Sequence, residues 1–256
     1  MIRIQNLSKH YGAQPAVREL SLEIPDGQLV GLLGPNGAGK TTTLRMLTGI
    51  LAPTSGTAEV EGFDVVRDPL QVKRVVGYVP ESGALFEALT AREYLRFVAS
   101  LYHIPEEEAD PRITRFAQFF ELDFATLSDK PLSAYSKGMR QKVVISAALL
   151  HNPKVVFFDE PLNGLDANAA LGFKTLITSL ARDGKTILYS SHILDVVERV
   201  CERVIIIHRG RVVADGSVQA LEAATGESTL ERVFNKLTAT ENMLARAEEF
   251  ARALSQ

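Results

Sequence analysis

The sequence of 256 residues contains little cysteine and no excess of charge of one sign, and each shortage excludes a class of protein. Its single cysteine, Cys201, allows neither a disulfide framework nor a thiolate metal site, which suits a reducing cytosol. Lys plus Arg total 28 and Asp plus Glu total 31, for a net charge of −3. A chain this close to neutral gives no sign of general affinity for nucleic acid, and we expect no nucleic-acid partner.

Long apolar runs are also missing. No stretch approaches the roughly 18 apolar residues that a membrane-spanning helix needs. The N-terminal segment MIRIQNLSKHYG lacks the charged start and the apolar core of a secretion signal. We therefore expect a cytoplasmic protein that reaches a membrane only through a partner.

The first 75 residues show short strand patterns around one helix. Apolar residues make up 46% of the chain, which is enough for a sizeable core. The predicted helix runs from about Gly39 to Thr48, and Gly49 is its expected stop. The predicted strands include Ile2 and Ile4, Leu20–Ile24, Gln28–Leu33 and Thr57–Gly62.

The pattern turns helical between about Gly83 and Leu149. Thr90 and Glu93 form a capping box, and Asp110 followed by Pro111 predicts another helix start. Residues 153–216 then alternate strand and helix, which predicts a mostly parallel sheet with crossover helices. We therefore expect an α/β core interrupted by a helical insertion.

The last part of the chain predicts a tail of two helices. Ser228–Glu231 is the expected cap of the first, and a stripe of six residues marks the second: Met243, Leu244, Ala247, Phe250, Ala251 and Leu254. The expected domains are residues 1–220, with the insertion at about 83–149, and a tail of residues 221–256.

A glycine-rich segment follows the third predicted strand and opens the first helix. It fits the phosphate-loop pattern GxxxxGK[ST] at every fixed place. Lys40 is expected to reach the β- and γ-phosphates of a nucleotide, and the Thr41 hydroxyl to bind Mg²⁺. The predicted nucleotide-binding residues of this P-loop NTPase core are Gly34, Pro35, Asn36, Gly37, Ala38, Gly39, Lys40, Thr41 and Thr42.

An apolar strand, VVFFDEP, ends in two carboxylates. Asp159 is placed to hold Mg²⁺, directly or through water. Glu160 is the next residue, so its side chain points elsewhere and is placed to polarise an attacking water as a general base. The phosphate loop in the same chain is expected to bind the nucleotide on which such a pair of carboxylates acts.

The turn from Tyr135 to Met139 lies about 20 residues before that strand. Its serine is a good N-cap, its glycine leaves the backbone unhindered, and the following helix N-terminus favours anions. Together with the phosphate loop and the acidic strand end, it resembles the LSGGQ signature of ATP-binding subunits of ABC transporters. The resemblance covers roughly residues 2–220 and implies that fold, with an antiparallel β subdomain. It also implies that Ser136 and Gly138 cover ATP held by a second copy or a related ATPase subunit.

Other positions match the same family. Tyr11 corresponds to the aromatic residue that stacks on adenine, Asp166 to a residue that couples the two sites of the dimer, and His192 to the switch histidine at the γ-phosphate. The family usually has glutamine where this chain has Glu81, and we expect Glu81 to keep a metal or water role. Lys137 replaces a glycine of the signature, and it either adds positive charge near the partner's γ-phosphate or faces solvent.

The resemblance implies an ATPase motor with ATP and Mg²⁺ as cofactors. It implies an integral-membrane permease of the ABC-2 export type as partner, with a cytoplasmic helix received by the segment from Glu81 to about His103. The protein is then peripheral on the inner face of the cell membrane. Two alternatives remain: a soluble ABC-type ATPase without a permease, and a nucleotide switch or kinase outside the family.

Overall fold

The computed structural model describes residues 1–83, 85–123 and 129–238. Within them the chain forms two β-sheets and nine α-helices. The predicted helix stripe between Met243 and Leu254 lies outside the described residues. Among the described helices, none combines the length and apolar character that crossing a bilayer requires.

The larger sheet has six strands in the order β10-β9-β3-β8-β7-β6. All its neighbouring strands are parallel except β9 and β10, which form an antiparallel edge. The central strands β3, β7 and β8 are buried along their whole length and almost continuously apolar, as suits strands that are covered on both faces, whereas β10 alternates exposed and half-buried residues. The strands are β3 (Leu29–Leu33), β6 (Val76–Val79), β7 (Val155–Asp159), β8 (Thr186–Ser190), β9 (Arg203–His208) and β10 (Arg211–Gly216).

The smaller sheet is antiparallel, with the strand order β2-β1-β4-β5. Its long hairpin pairs Ile2 with Ile24 and Tyr11 with Gln14. The implied antiparallel subdomain beside a parallel sheet is confirmed. The strands are β1 (Ile2–Tyr11), β2 (Gln14–Ile24), β4 (Ser55–Val60) and β5 (Phe63–Asp64).

Two core clusters cover opposite faces of the larger sheet. Val155 and Phe157 of β7 join the cluster shared with the smaller sheet, whereas Val156 and Phe158 join the cluster formed with most of the helices. This alternation follows from the two-residue period of a strand. The helices are α1 (Lys40–Leu47), α2 (Pro69–Val75), α3 (Ala91–Leu101), α4 (Glu106–Phe119), α5 (Lys137–Leu149), α6 (Ala167–Arg182), α7 (Leu194–Val200), α8 (Val218–Thr225) and α9 (Leu230–Thr238).

The insertion between β6 and β7 contains α3, α4 and α5 and has an apolar core of its own. Thr90 caps α3 with the predicted capping box, since its hydroxyl accepts from the Glu93 N–H and the Glu93 carboxylate accepts from the Thr90 N–H. The predicted helix start at Asp110 is wrong. Helix α4 begins at Glu106, and the Asp110 carboxylate instead accepts a 2.9 Å hydrogen bond from Arg96.

Three short elements and one cap were not foreseen. Strand β5, helix α2 and strand β6 are each too short to show a clear period in the sequence, and none of them was predicted. In the tail, the Thr229 hydroxyl accepts from the Arg232 N–H at the start of α9, one residue after the expected cap residue Ser228. Helix α8 runs across residue 220, and Leu221 and Leu230 pack in the main core. The domain boundary at residue 220 stays a prediction.

Candidate nucleotide-binding site

The phosphate loop lies between β3 and α1, at the carboxyl end of a central strand of the larger sheet. Gly39, at the N-cap of α1, has a φ of +109°. A Cβ atom there would lie 2.5 Å from the Ala16 carbonyl oxygen, so a side chain cannot fit without movement. Glycine at this position brings the first turn of α1 and its unpaired N–H groups into the cleft.

Lys40 is the buried cation of the cleft. Its ammonium donates a 2.6 Å hydrogen bond to the Gly34 carbonyl and is also 3.5 Å from that of Pro35. Burial lowers the pKa of Lys40, and the carboxylates of Glu160, Asp159 and Glu81 oppose that shift. The loop thus holds one positive charge against three acidic side chains.

Asp159 ends β7 opposite Ser190 of β8. Both Asp159 carboxylate oxygens and the Ser190 hydroxyl are buried, and none of them has a hydrogen-bond partner among the described residues. Burial raises the pKa of Asp159, while the nearby Thr41 and Ser190 hydroxyls and the Lys40 charge partly oppose the shift. Unpaired buried oxygens of this kind call for a cation or water.

Glu160 adopts a left-handed backbone conformation, with φ of +52°, which turns its side chain towards the end of β8. One carboxylate oxygen lies 2.7 Å from His192 Nδ1, and the same oxygen accepts from the His192 N–H at 3.3 Å. Burial raises the pKa of Glu160, and His192 and Lys40 oppose that shift. The histidine therefore holds the carboxylate in one orientation at the mouth of the cleft.

These groups surround one cleft of about 550 Å³. It unites most of the predicted site: Asn36, Gly37, Ala38, Gly39, Lys40, Thr41, Thr42, Glu81, Asp159, Glu160 and His192. Ala16 also lines the cleft. It was not predicted as a site residue, because the sequence around it contains no nucleotide-binding motif. Six predicted residues do not line the cleft: Tyr11, Gly34, Pro35, Ser136, Gly138 and Asp166. Tyr11 is half exposed, with the Lys9 ammonium 5.7 Å from its ring centre.

The signature turn forms a second cluster. Ser136 caps α5, as predicted, because its hydroxyl accepts from the Met139 N–H at 3.2 Å. A Cβ atom on Gly138 would lie 2.4 Å from the carbonyl oxygen of Gly164. Tyr135 is buried in the core of the insertion, while Lys137 is exposed. What the Lys137 charge does stays a prediction.

Two side chains of α5 hold the loop that follows β7, and sequence reasoning missed both contacts. The Gln141 amide donates to the Pro161 carbonyl at 3.1 Å, and the Lys142 ammonium lies 2.9 Å from the Asp166 carboxylate. Asp166 also caps α6 by accepting from the Ala169 N–H, and these two contacts lower its pKa. The signature helix and the Asp166 loop are therefore joined by direct side-chain contacts.

The contact between Gly138 and Gly164 gives a testable prediction. We expect Gly138→Ala to lower ATP turnover by about 5- to 100-fold, because the new methyl group must displace the Gly164 backbone. Steady-state phosphate release measures this effect. Gly172→Ala is the matched control, since a Cβ there meets only Phe119 at 3.4 Å and should leave turnover unchanged. Equal turnover of both variants contradicts the prediction.

A parallel sheet with a phosphate loop, a buried lysine and an acidic strand end defines the class of P-loop nucleoside triphosphatases. Residues 17–163 match the ABC transporter family. The chain is 41% identical over 221 residues to the ABC transporter ATP-binding protein NatA of Bacillus subtilis, covering 86% of this chain and 89% of that protein. It is also 38% identical over 225 residues to ATP-binding cassette sub-family A member 7 of Rattus norvegicus, but spans only 10% of that protein.

Solved structures give the same result. The structure of an ATP-binding subunit of an ABC transporter superposes with a TM-score of 0.87 and 32% identity, covering 93% of this chain and 99% of that chain. A dimeric ATP-binding cassette bound to ADP and Pi in a post-hydrolysis state superposes with a TM-score of 0.79 and 25% identity, covering 85% of this chain and 98% of that chain. The chain belongs to the ABC transporter family, and it is an ATPase of that family, as the sequence analysis predicted.

Proposed function

We propose that this protein is the motor subunit of an ABC transporter: two ATPase subunits close around two Mg-ATP and drive a separate membrane permease. The observation that carries the proposal is the gathering of Lys40, Asp159, Glu160 and His192 around one cleft that the signature turn does not line. The cleft contains the phosphate-binding and hydrolytic groups but not the signature turn. This arrangement fits a site that lies between two subunits, each of which supplies the signature turn for the other.

In this proposal ATP lies on the phosphate loop. The N–H groups at the start of α1 and the Lys40 ammonium bind the phosphates, and Tyr11 stacks on the adenine. When ATP occupies the cleft, its γ-phosphate takes the place of the Gly34 carbonyl as acceptor for Lys40, because an anion binds the ammonium more strongly than a neutral carbonyl does.

Magnesium fits the donor set beside the loop. The unpaired buried oxygens of Asp159 and the side chains of Thr41 and Glu81 border the same cleft, and oxygen donors suit Mg²⁺. Among the described residues no three acidic, His or Cys side chains form a metal cluster, so Mg²⁺ held by Asp159, Thr41 and Glu81 would also need oxygen donors from outside the chain. When bound, the ion neutralises phosphate charge during transfer.

Glu160 acts as the general base in this mechanism. Its carboxylate takes a proton from the attacking water, and His192 fixes the carboxylate through its 2.7 Å contact. Burial excludes bulk water from Glu160 and raises its pKa, which makes it a better base than an exposed carboxylate. His192 is largely exposed, so its other ring nitrogen is free to contact the γ-phosphate.

The second subunit supplies the signature turn. Ser136 and Gly138 begin α5, whose N-terminus favours the γ-phosphate of ATP bound by the partner. The contacts of Lys142 and Gly138 join this turn to the Asp166 loop. The position of that loop therefore depends on whether the partner's site holds ATP. The partner is a second copy of this chain or a related ATPase subunit.

The permease is received by a groove between the insertion and the larger sheet. A cavity of about 520 Å³ lies there, lined by Tyr78, Ser82, Tyr94 and Val98 among others. On the neighbouring surface Phe86 is 60% exposed and packs edge-on against Phe97, with ring centres 5.5 Å apart. Apolar surface beside a groove suits the helix of a membrane partner. The subunit is then peripheral on the cytoplasmic face of the membrane.

Co-purification tests the proposal. The tagged chain is expressed from its native operon, membranes are extracted in mild detergent, and bound proteins are identified by mass spectrometry. We expect a multi-spanning protein in roughly equal amount, and its loss when Phe97→Glu places a charge on the apolar surface beside the groove. Recovery only from the soluble fraction, alone or with ribosomes, overturns the permease assignment and favours an ABC-type ATPase without a permease.

A further inference from the structure

A third cavity, of about 420 Å³, is separate from both the nucleotide cleft and the groove proposed for the permease. It is bordered by α4, by the end of α5 at Leu149 and by the last two turns of α6. Helix α5 has 13 residues, which places its end about 20 Å from the signature turn. None of the residues that the structure describes lines both this cavity and the cleft around Lys40.

The walls of this cavity are apolar side chains that the fold leaves partly uncovered. Phe116, Leu176 and Leu180 pack on the main core with one side and face the cavity with the other. Phe119 stands at the edge and is 42% exposed. Contiguous apolar surface left open to water in this way is typical of a ligand-binding groove.

Three cations lie at the rim, and no acidic residue lines the cavity within the described part of the chain. Arg112 is paired with Glu108 at 3.0 Å, whereas neither Lys185 nor Arg115 has an ion pair within 4 Å among the described residues, and the Asp183 charge acts on Lys185 from further away. The Lys185 ammonium donates only to neutral oxygens, those of the Asn152 side chain at 2.6 Å and the Pro153 carbonyl at 2.5 Å. Arg115 makes no hydrogen bond or ion pair with any residue of the described ranges.

We propose that this cavity binds a single-chain amphiphile with a carboxylate head group, such as a medium-chain fatty acid. The chain lies against Phe116, Phe119, Leu176 and Leu180, and the carboxylate pairs with Arg115 beside Lys185. The volume lies within the range of small-molecule pockets, roughly 300–1,000 Å³. This proposal does not depend on the proposed function, because within the described part of the chain the cavity shares no lining residue with the nucleotide cleft.

The chemistry of the rim and walls selects this ligand. A cationic head group would meet Arg115 and Lys185 with like charge, and a nucleotide or sugar would leave most of its polar groups unpaired against the aromatic and leucine walls. A neutral alcohol of the same chain length keeps the apolar contacts and loses the ion pair. Head-group charge therefore separates the proposed ligand from simple adsorption on an apolar surface.

Calorimetry with the full-length purified protein tests the proposal, with dodecanoate below its critical micelle concentration as probe. We expect saturable binding to one site, with decanoate weaker by about tenfold because each buried methylene contributes roughly threefold to fourfold. Dodecanol should bind about 10- to 100-fold more weakly, since it lacks the charge-assisted pair. Absence of saturable binding, or equal binding of dodecanol and dodecanoate, overturns the proposal.

Arg115→Glu provides the matching variant, and Arg67→Glu is its control because Arg67 is exposed and does not line the cavity. We expect Arg115→Glu to weaken dodecanoate binding by at least about tenfold, and the control to leave it unchanged. Thermal unfolding of both variants shows that they fold. Unchanged dodecanoate binding by a folded Arg115→Glu variant overturns the assignment of the carboxylate to Arg115. If the unmodified protein does not bind ATP, that result contradicts the proposed function, whereas the dodecanoate titration still decides the present proposal.

Discussion

Glu160→Gln is expected to bind ATP with nearly unchanged affinity while its turnover falls by about 10²- to 10⁴-fold. The amide keeps the shape of the carboxylate and its contact with His192, but it cannot accept a proton from water. Since ATP then persists between the subunits, we also expect the variant to form an ATP-dependent dimer. Phosphate release measures the turnover, and gel filtration with and without ATP measures the dimer.

Glu107→Gln is the matched control for this experiment, because Glu107 is an exposed residue in the first turn of α4. The control should keep the turnover of the unmodified protein. Near-normal turnover of Glu160→Gln would remove Glu160 from the role of general base. A variant that binds ATP but stays monomeric would point to a nucleotide switch that works without a paired site.

Lys40→Ala is expected to lose nucleotide binding itself. The ammonium is the buried cation of the phosphate loop, already desolvated and oriented by the Gly34 carbonyl, so little reorganisation is needed when a phosphate arrives. Loss of this charge-assisted contact should weaken ATP binding by at least about 10- to 100-fold. Isothermal titration calorimetry measures the affinity directly.

Lys154→Ala removes the same charge from an exposed position and serves as the control. Thermal unfolding of both variants separates a binding defect from a folding defect. Lys40 faces three carboxylates, so its removal should leave the cleft without nucleotide with more net negative charge. Added ATP should then no longer raise the melting temperature of the variant. Unchanged ATP affinity of a folded Lys40→Ala variant would defeat the assignment.

Much of the site followed from the sequence because its residues are neighbours along the chain. The phosphate loop is a local turn between a strand and a helix, so Gly34 to Thr42 could be placed from spacing alone. The capping box at Thr90 and the N-cap at Ser136 are local for the same reason, and both formed as expected. Asp110 shows the limit of such rules. Its side chain was predicted to cap a helix, but in the fold it forms an ion pair with Arg96 instead.

The sequence by itself determined the P-loop class, the helical insertion and the residue types of the candidate site, because these depend on short-range pattern and spacing. Only the tertiary structure decided which groups meet. Parallel pairing of β7 and β8 brings Glu160 to His192, 32 residues further on, and packing of α5 brings Lys142 to Asp166. It also left the signature turn outside its own cleft and opened the cationic cavity between α4 and α6. Such contacts depend on strand order and helix packing, and residues distant in sequence carry no local signal of them.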